Sequence, residues 1–229
     1  MTQLFFSDYE IEAVETLTPL VIFGAGGLGR EVLLLVQQIN QSRPTWDVRG
    51  FYDDQAPATP TVAGLPYLGT AADLNASPEP LAVALAVGSP AGRAAVVGRL
   101  TSARLSFPIL VHPRVALARQ HRIALGEGCI IQQGCILTCD IQLGRFVFLN
   151  LGCTVGHDAV LEDFCSLMPH ANVSGAARLA TGVYLGTSST IIQGVSIGAN
   201  TVVGAGAVVV RDLAANITAV GVPAKQVNN

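Results

Sequence analysis

An aliphatic residue recurs at every sixth position of this chain from Leu125 to Val209, without a single interruption. An α-helix repeats about every 3.6 residues and a lone strand about every 2, so a period of six matches neither. It indicates a solenoid of short parallel strands joined by turns. The positions in this register are Leu125, Ile131, Leu137, Leu143, Leu149, Val155, Leu161, Leu167, Val173, Leu179, Leu185, Ile191, Ile197, Val203 and Val209.

A second set of side chains, four residues after each aliphatic position, is small or β-branched throughout. Such side chains suit the inward corners of a narrow coil. A glycine directly follows several aliphatic positions, where a sharp corner would favour a residue that can adopt positive φ. The second set is Cys129, Cys135, Ile141, Val147, Cys153, Ala159, Cys165, Ala171, Ala177, Val183, Ser189, Val195, Thr201 and Ala207, and the glycines are Gly126, Gly144, Gly156, Gly186, Gly198 and Gly204.

The composition favours two modest domains without a highly charged surface. The chain has 229 residues, of which 50% are hydrophobic, and a formal charge of -3. That charge gives no sign of a cationic surface for nucleic acid or for an anionic membrane. Four of the five cysteines stand in the small inward set, where a thiol acts as a small hydrophobe. Free buried thiols are compatible with a reducing cytosol, so we expect a cytoplasmic protein.

Two segments bear on targeting and on membrane insertion. Residues 1–18 carry Asp8, Glu10, Glu12 and Glu15 and lack a basic start followed by an apolar block, so we predict no signal peptide and treat them as an N-terminal extension. The stretch from Leu179 to Val210 has no charge, but polar residues interrupt it and the six-residue register runs through it. It therefore predicts solenoid core and no membrane span.

Residues 19–111 predict a small, incomplete parallel α/β unit. A strand from Pro19 to Phe23 leads into a glycine loop, Gly24 to Gly29, and a helix over Glu31 to Ile39. Further strands are expected at Val48 to Tyr52, Leu81 to Val87 and Phe107 to Val111, with a second helix over Ala91 to Leu100 that carries Arg93 and Arg99. The unit is too short for a full dinucleotide fold, so we expect a nucleotide-linked ligand other than NAD.

Within this unit, two features could contact a nucleotide. A glycine loop between strand and helix lets backbone N–H groups meet a phosphate, although it could also be only a tight turn. Asp53 and Asp54 follow the second strand at the distance where an acid can bind a ribose hydroxyl, or they could form a solvated turn.

Only four histidines are candidates for a general base near neutral pH: His112, His121, His157 and His170. His157 is the best candidate, because it stands two residues after Val155 and so lies at a turn, outside the filled interior. Asp158 could orient its imidazole and stabilise the protonated form. His170 is ambiguous, and its spacing of 13 residues from His157 does not place both on one corner, so no zinc site is expected.

The repeat, the glycine loop, Asp53-Asp54, Gly88, His112-Pro113, Asn150, His157-Asp158 and Gly221-Val222-Pro223-Ala224-Lys225 together resemble the bacterial sugar acetyltransferases of the PglD and NeuD kind. The resemblance covers nearly all of the chain after Thr18. It implies a left-handed parallel β-helix over residues 112–229, with three six-residue units in each 18-residue coil, and about five coils in all. Arg114 to Ile123 would form an imperfect first coil.

The resemblance also implies a homotrimer that uses acetyl-CoA, with active sites between neighbouring solenoids. An 18-residue coil places Gly175 one rung beyond His157, roughly 5 Å away, where its N–H could stabilise an oxyanion. Asn150 would position the acceptor or the thioester. Candidate cofactor contacts are Ser166, Gly175, Thr187, Ala205 and Lys225, and candidate sugar-nucleotide contacts are Gly26, Gly27, Leu28, Asp53, Asp54 and Gly88.

The chain departs from the family pattern at Leu28 and Ser166, where relatives often have histidine, and at Gly156, where they usually have an acid. The function implied is N-acetylation of a nucleotide-linked amino sugar, such as a UDP-4-amino-4,6-dideoxy sugar, for glycan biosynthesis. An O-acetyltransferase acting on a sugar or sialic acid is the nearest alternative. A solenoid assembly subunit without catalytic activity is an alternative of a different class.

Overall fold

The computed structural model describes residues 17–227, so most of the predicted N-terminal extension and the last two residues lie outside the described part of the chain. The helices are α1 (Gly27–Ser42), α2 (Ala71–Asn75) and α3 (Pro90–Arg99), with a 3-10 turn at Arg119–His121. The strands are β1 (Thr18–Phe23), β2 (Trp46–Tyr52), β3 (Thr61–Val62), β4 (Leu65–Gly69), β5 (Leu81–Leu85), β6 (Leu105–Ser106), β7 (Leu110–Val111), β8 (Ala124–Leu125), β9 (Ile130–Ile131), β10 (Ile136–Leu137), β11 (Gln142–Leu143), β12 (Phe148–Leu149), β13 (Thr154–Val155), β14 (Val160–Leu161), β15 (Ser166–Leu167), β16 (Asn172–Val173), β17 (Arg178–Leu179), β18 (Tyr184–Leu185), β19 (Thr190–Ile191), β20 (Ser196–Ile197), β21 (Val202–Val203), β22 (Val208–Val209), β23 (Thr218–Val220) and β24 (Lys225–Val227).

The first unit is a sheet with the strand order β3-β4-β2-β1-β5-β6, parallel except for the β3–β4 hairpin. Its central strand β1 is buried on both sides because alternate side chains enter two different cores. Leu20 and Ile22 pack with α1, while Val21 and Phe23 pack in a cluster with Val96 of α3. This is the predicted α/β unit.

Two parts of the sequence-based prediction for this unit were incomplete or wrong. The hairpin β3–β4 and the short helix α2 were not predicted, because each of these three elements has five residues or fewer. The predicted fourth strand over Phe107 to Val111 is wrong: β6 at Leu105–Ser106 is the strand that joins this sheet, beside β5. Leu110–Val111 instead pairs with β9 of the solenoid.

The second unit is the predicted parallel β-helix. Each strand from β8 to β22 pairs with strands 18 residues away, as Val155 pairs with Val173, so three strands make one coil. The aliphatic register and the small inward set form one continuous interior. Residues 114–123, predicted as an imperfect first coil, contain the 3-10 turn at Arg119–His121.

The β-helix has three flat faces, named here by their content. The covered face is the eight-stranded sheet that includes β9, β12, β15 and β18, and the α/β unit packs on it. The uncharged face is β10, β13, β16, β19 and β22. The arginine face is β8, β11, β14, β17 and β20, which carries Arg178.

The three corners between these faces follow from chain order. The Asn150 corner joins the covered face to the uncharged face. The His157 corner joins the uncharged face to the arginine face. The Phe146 corner joins the arginine face to the covered face.

The prediction that glycines directly after the aliphatic positions adopt positive φ is wrong. Positive φ occurs two residues later, at the third position after each aliphatic residue, in every turn from Gly128 to Gly206. The glycines after the aliphatic residues are instead needed for close coil stacking. A Cβ at Gly156 would lie 2.5 Å from the Gly175 nitrogen, and one at Gly186 would lie 2.6 Å from the Ala205 nitrogen. Backbone of the next coil occupies the space that a side chain would need.

Within residues 17–227, no helix combines the length and the apolar character needed to cross a bilayer.

Candidate active site

The imidazole of His157 lies on the outside of the β-helix, at the His157 corner. Its side chain is 53% exposed, and its Nδ1 lies 2.8 Å from Oδ2 of Asp158. Asp158 adopts φ 59°, a left-handed conformation that Asp tolerates better than most residues. A carboxylate acceptor at Nδ1 favours the tautomer with the proton there, which leaves the lone pair on Nε2 free to accept a proton.

Gly175 lies directly against this imidazole, one coil further along. A Cβ at Gly175 would be 2.5 Å from Nε2 of His157, so the ring occupies the place of the missing side chain. The N–H of Ala176 donates to the His157 carbonyl at 2.7 Å and holds the two turns together. Within residues 17–227, the N–H of Gly175 has no hydrogen-bond acceptor. Nε2 of the exposed imidazole therefore lies against Gly175, which is itself buried and whose N–H is unpaired among these residues.

Cys139 and Asp140 occupy the same two turn positions one coil before His157 and Asp158, and the sequence analysis gave them no role. Arg122 forms an ion pair with Asp140. The hydrogen bond within this pair holds the pKa of the Asp140 carboxyl below its usual value. Burial, together with Asp140, raises the pKa of the Cys139 thiol. The cysteine beside the base is therefore protonated at neutral pH. The spacing of 18 residues from Asp158 is the signal that would have found Asp140.

The structure does not bring Asn150 to His157 within one chain. Asn150 lies at the other edge of the uncharged face, is 8% exposed, and accepts a hydrogen bond from the Leu151 N–H at 2.7 Å. Thr187 and Ala205 stack at this Asn150 corner and are exposed. His170 is also exposed there, with its ring against Gly152. Lys225 is exposed on β24 at the end of the covered face.

The structure buries Ser166, one of the predicted cofactor contacts. Ser166 has no exposed surface, because the α/β unit covers it. Its Oγ donates to the Gly88 carbonyl at 2.9 Å and accepts from Nη2 of Arg93 at 2.9 Å. Arg93 was missed as a structural residue, although Val96 and Val97 stand three and four positions later on the same helix. That spacing places Arg93 on the apolar side of α3.

The glycine loop joins β1 to α1 as expected. Gly24 has φ 117°, and a Cβ at Gly29 would lie 2.0 Å from the Gly24 carbonyl oxygen, so both positions need glycine. Gly26 is the N-cap of α1 without any side-chain cap, and Gly26 and Gly27 are exposed. The first N–H groups of α1 are thus directed towards solvent, as in anion sites at helix N-termini. Leu28 is half-buried near Gly88.

The two acids after β2 differ in their partners. Asp53 accepts a hydrogen bond from the Ala25 N–H at 2.8 Å, which fastens the glycine loop, and another from Gln55. Asp54 accepts from the Ala71 N–H and forms an ion pair with Arg99 at 2.6 Å. Asp54 therefore ties α2 to α3, and Asp53 is the acid nearest to the loop.

No group of three or more His, Cys, Asp or Glu side chains among residues 17–227 is arranged to hold a metal ion. His157 and His170 lie at different corners of the β-helix, as their spacing predicted.

Comparison with known proteins places this arrangement in a family. Residues 19–100 match the PglD N-terminal domain. GDP-perosamine N-acetyltransferase of Escherichia coli O157:H7 is 30% identical over 175 residues, which are 76% of this chain and 78% of that protein. The crystal structure of PerB from Caulobacter crescentus, in complex with CoA and GDP-perosamine, superposes with a TM-score of 0.83 at 30% identity and covers 94% of this chain and 99% of that one. The acetyltransferase domain of PglB from Neisseria gonorrhoeae, in complex with acetyl coenzyme A, gives a TM-score of 0.83 at 29% identity, covering 92% of this chain and 100% of that domain.

A parallel β-helix of six-residue units with an exposed histidine at one corner defines an acyltransferase of the hexapeptide-repeat class. Within that class, the chain belongs to the PglD-like sugar acetyltransferases, as its α/β unit and the relatives above show.

Proposed function

We propose that this enzyme transfers an acetyl group from acetyl-CoA to the amine of a nucleotide-linked amino sugar, such as a UDP-4-amino-4,6-dideoxy sugar, in glycan biosynthesis. The observation that carries the proposal is the His157–Asp158 pair, whose Nε2 lies against Gly175, a residue with an unpaired N–H. Relatives of this fold have been crystallised with CoA and GDP-perosamine, which supports an amino-sugar acceptor.

In the proposed reaction, the sugar nitrogen reacts as the neutral amine, an ammonium having first lost one proton to water, and Nε2 of His157 takes a second proton from the amine as it attacks. The nitrogen attacks the thioester carbonyl carbon, and the Gly175 N–H donates to the oxygen that becomes negative. Asp158 stabilises the imidazolium that forms. Collapse of the tetrahedral intermediate breaks the C–S bond, and the departing thiolate takes a proton from His157. No acyl-enzyme is needed, so the cysteines stay outside the chemistry.

The acceptor would be held by the α/β unit. Gly26 and Gly27 present N–H groups at the start of α1 for a phosphate, and Asp53 lies beside this loop for a ribose hydroxyl. The proposed acetyl-CoA contacts are Gly175 at one corner, with Thr187 and Ala205 at another. Lys225 would lie near the CoA phosphates.

The position of the α/β unit supports an active site between protomers. This unit packs on the covered face, whereas His157 stands at the corner between the two other faces. In a three-sided prism that corner lies opposite the covered face, so a sugar held on the α/β unit cannot reach His157 of its own chain. The uncharged face, with Ile136 61% exposed, offers a surface for a second protomer. We therefore propose a homotrimer in which one chain supplies the nucleotide site and the Asn150 corner, and its neighbour supplies His157.

The proposed acceptor is tested by following CoA release with a panel of nucleotide amino sugars, matched hydroxy sugars and free sialic acid. We expect release only with amino sugars. Release with the hydroxy sugars would support O-acetylation, a reaction carried out by galactoside O-acetyltransferase of Escherichia coli, which is 25% identical over 142 residues. An absence of release with every acceptor, together with retained assembly, would favour a subunit without catalytic activity.

The proposed arrangement between chains is tested by mixing two inactive variants. His157→Ala removes the base. Gly26→Asp should cap α1 but repel a phosphate bound at the start of that helix. The added side chain has room, because no atom lies within 4 Å of the new Cβ. Subunits exchanged at equal amounts should recover about one quarter of the sites of the wild type, because a site needs one intact residue from each of two neighbours. If both residues served the same chain, no mixed oligomer would contain a complete site and no activity would return.

A further inference from the structure

Arg93 is the largest fully buried side chain of the described residues, and it has no carboxylate partner there. Its side chain is 2% exposed. Nε donates to the Phe146 carbonyl at 2.9 Å, and Nη1 donates to the Val87 carbonyl at 2.6 Å. The remaining acceptors are the carbonyls of Gly88, Phe164 and Cys165 and the hydroxyl of Ser166.

These acceptors belong to two different units. The carbonyls of Val87 and Gly88 lie in the loop after β5 of the α/β sheet, while the others lie at and beside the Phe146 corner of the β-helix. Ser166 closes a ring, because its hydroxyl accepts from Arg93 and donates to the Gly88 carbonyl. A single guanidinium thus fastens the loop at Gly88 to two successive coils of the β-helix, and Arg93 with Ser166 is called the clamp here.

An arginine is suited to this place for a physical reason. Burying a cation without a counter-charge costs several kcal/mol unless its N–H groups are all bonded. The planar guanidinium directs five N–H groups in fixed directions, whereas lysine has three and no fork. Burial lowers the pKa of Arg93 to about 10, so the group stays charged at neutral pH. A hydrophobic residue would leave the carbonyls of Val87, Phe146 and Phe164 without the only donor that the described residues give them.

We propose that Arg93 and Ser166 position the nucleotide-sugar site on the β-helix, so that they set the affinity for the acceptor and not the affinity for acetyl-CoA. The proposal rests on the proposed function and on the sequence-based expectation that Gly88 contacts the nucleotide sugar. Gly88 lies next to Leu28 of the glycine loop, with a Cβ at Gly88 falling 3.6 Å from Leu28 Cδ2. A shift of the Gly88 loop therefore reaches the phosphate-binding turn, while the His157 corner, across the prism, is unaffected.

The kinetic test compares Ser166→Ala and Arg93→Lys with the control Arg104→Met, which removes an exposed arginine of the same unit. For Ser166→Ala and Arg93→Lys we expect the KM for the nucleotide amino sugar to rise about tenfold, because each variant loses one or two hydrogen bonds to a charged group. The KM for acetyl-CoA should change by less than about twofold, and the control should match the wild type. Equal increases in both KM values, or no increase in either, would overturn the proposal.

Hydrogen–deuterium exchange gives a second readout that needs no turnover. In Ser166→Ala, the amides of residues 86–93 should exchange faster than in the wild type, while those of β1 and of the β-helix interior keep their rates. Unchanged exchange in residues 86–93 would contradict the clamp even if the kinetics moved. A wild-type enzyme that acetylates no sugar nucleotide would refute the proposed function, and the exchange rates would still decide whether the clamp exists. Because Ser166→Ala removes one hydroxyl only, it remains informative if Arg93→Lys does not fold.

Discussion

His157→Ala should lower turnover by about two to four orders of magnitude, the usual range for the loss of a general base. The reason is geometric: His157 is the only histidine of the described chain that combines an exposed ring, a carboxylate at Nδ1 and an unpaired N–H beside Nε2. Steady-state rates of CoA release, measured at saturating acetyl-CoA, give the effect. Thermal unfolding should be nearly unchanged, since the side chain is half exposed.

The matched comparison for this variant is His170→Ala. His170 is also an exposed turn histidine, but it adopts φ 59° itself and stands at the Asn150 corner without a carboxylate partner among the described residues. We expect its loss to be far smaller than that of His157→Ala. A reversed order of the two effects would assign the base to His170 and would refute the proposed mechanism.

Gly175→Ala should reduce turnover about a hundredfold while leaving the fold intact, because a displacement of about 1 Å at a reacting group costs that much. The three atoms nearest to the added Cβ, at 2.5, 2.6 and 3.0 Å, all belong to the His157 ring. The ring can rotate away, so the backbone is not strained, but the imidazole then leaves its place against Gly175. Kinetics and a thermal unfolding curve, measured on the same preparation, separate the two effects.

Gly98→Ala is the control for the substitution itself, because its Cβ would meet nothing within 4 Å. A double variant sharpens the test. In the His157→Ala background, Gly175→Ala should cost much less than it does alone, because the ring that it displaces is already absent. If the two losses multiply in full, Gly175 acts independently of His157 and the proposed geometry is wrong.

The sequence predicted the parts of the molecule that repeat. The six-residue register marks the interior of every coil because each aliphatic side chain must avoid water, and this requirement recurs with each strand. The coil length that the family resemblance implied then placed Gly175 beside His157, since residues 18 apart stack in neighbouring coils. The sequence marked the glycines that follow the aliphatic positions, but the predicted reason for them, positive φ, was wrong. The close approach of backbone between neighbouring coils leaves no mark in a single repeat.

Only the tertiary structure decided how the two units meet. Arg93 and Ser166 are 73 residues apart, and no local pattern indicates that their side chains form a hydrogen bond. The same packing takes Leu110–Val111 into the β-helix and places the α/β unit on the face opposite His157. Periodicity reports what each coil must bury, whereas docking depends on surfaces that are formed only once both units have folded. For that reason the repeat and its candidate base could be read from the chain, while the clamp between the units could not.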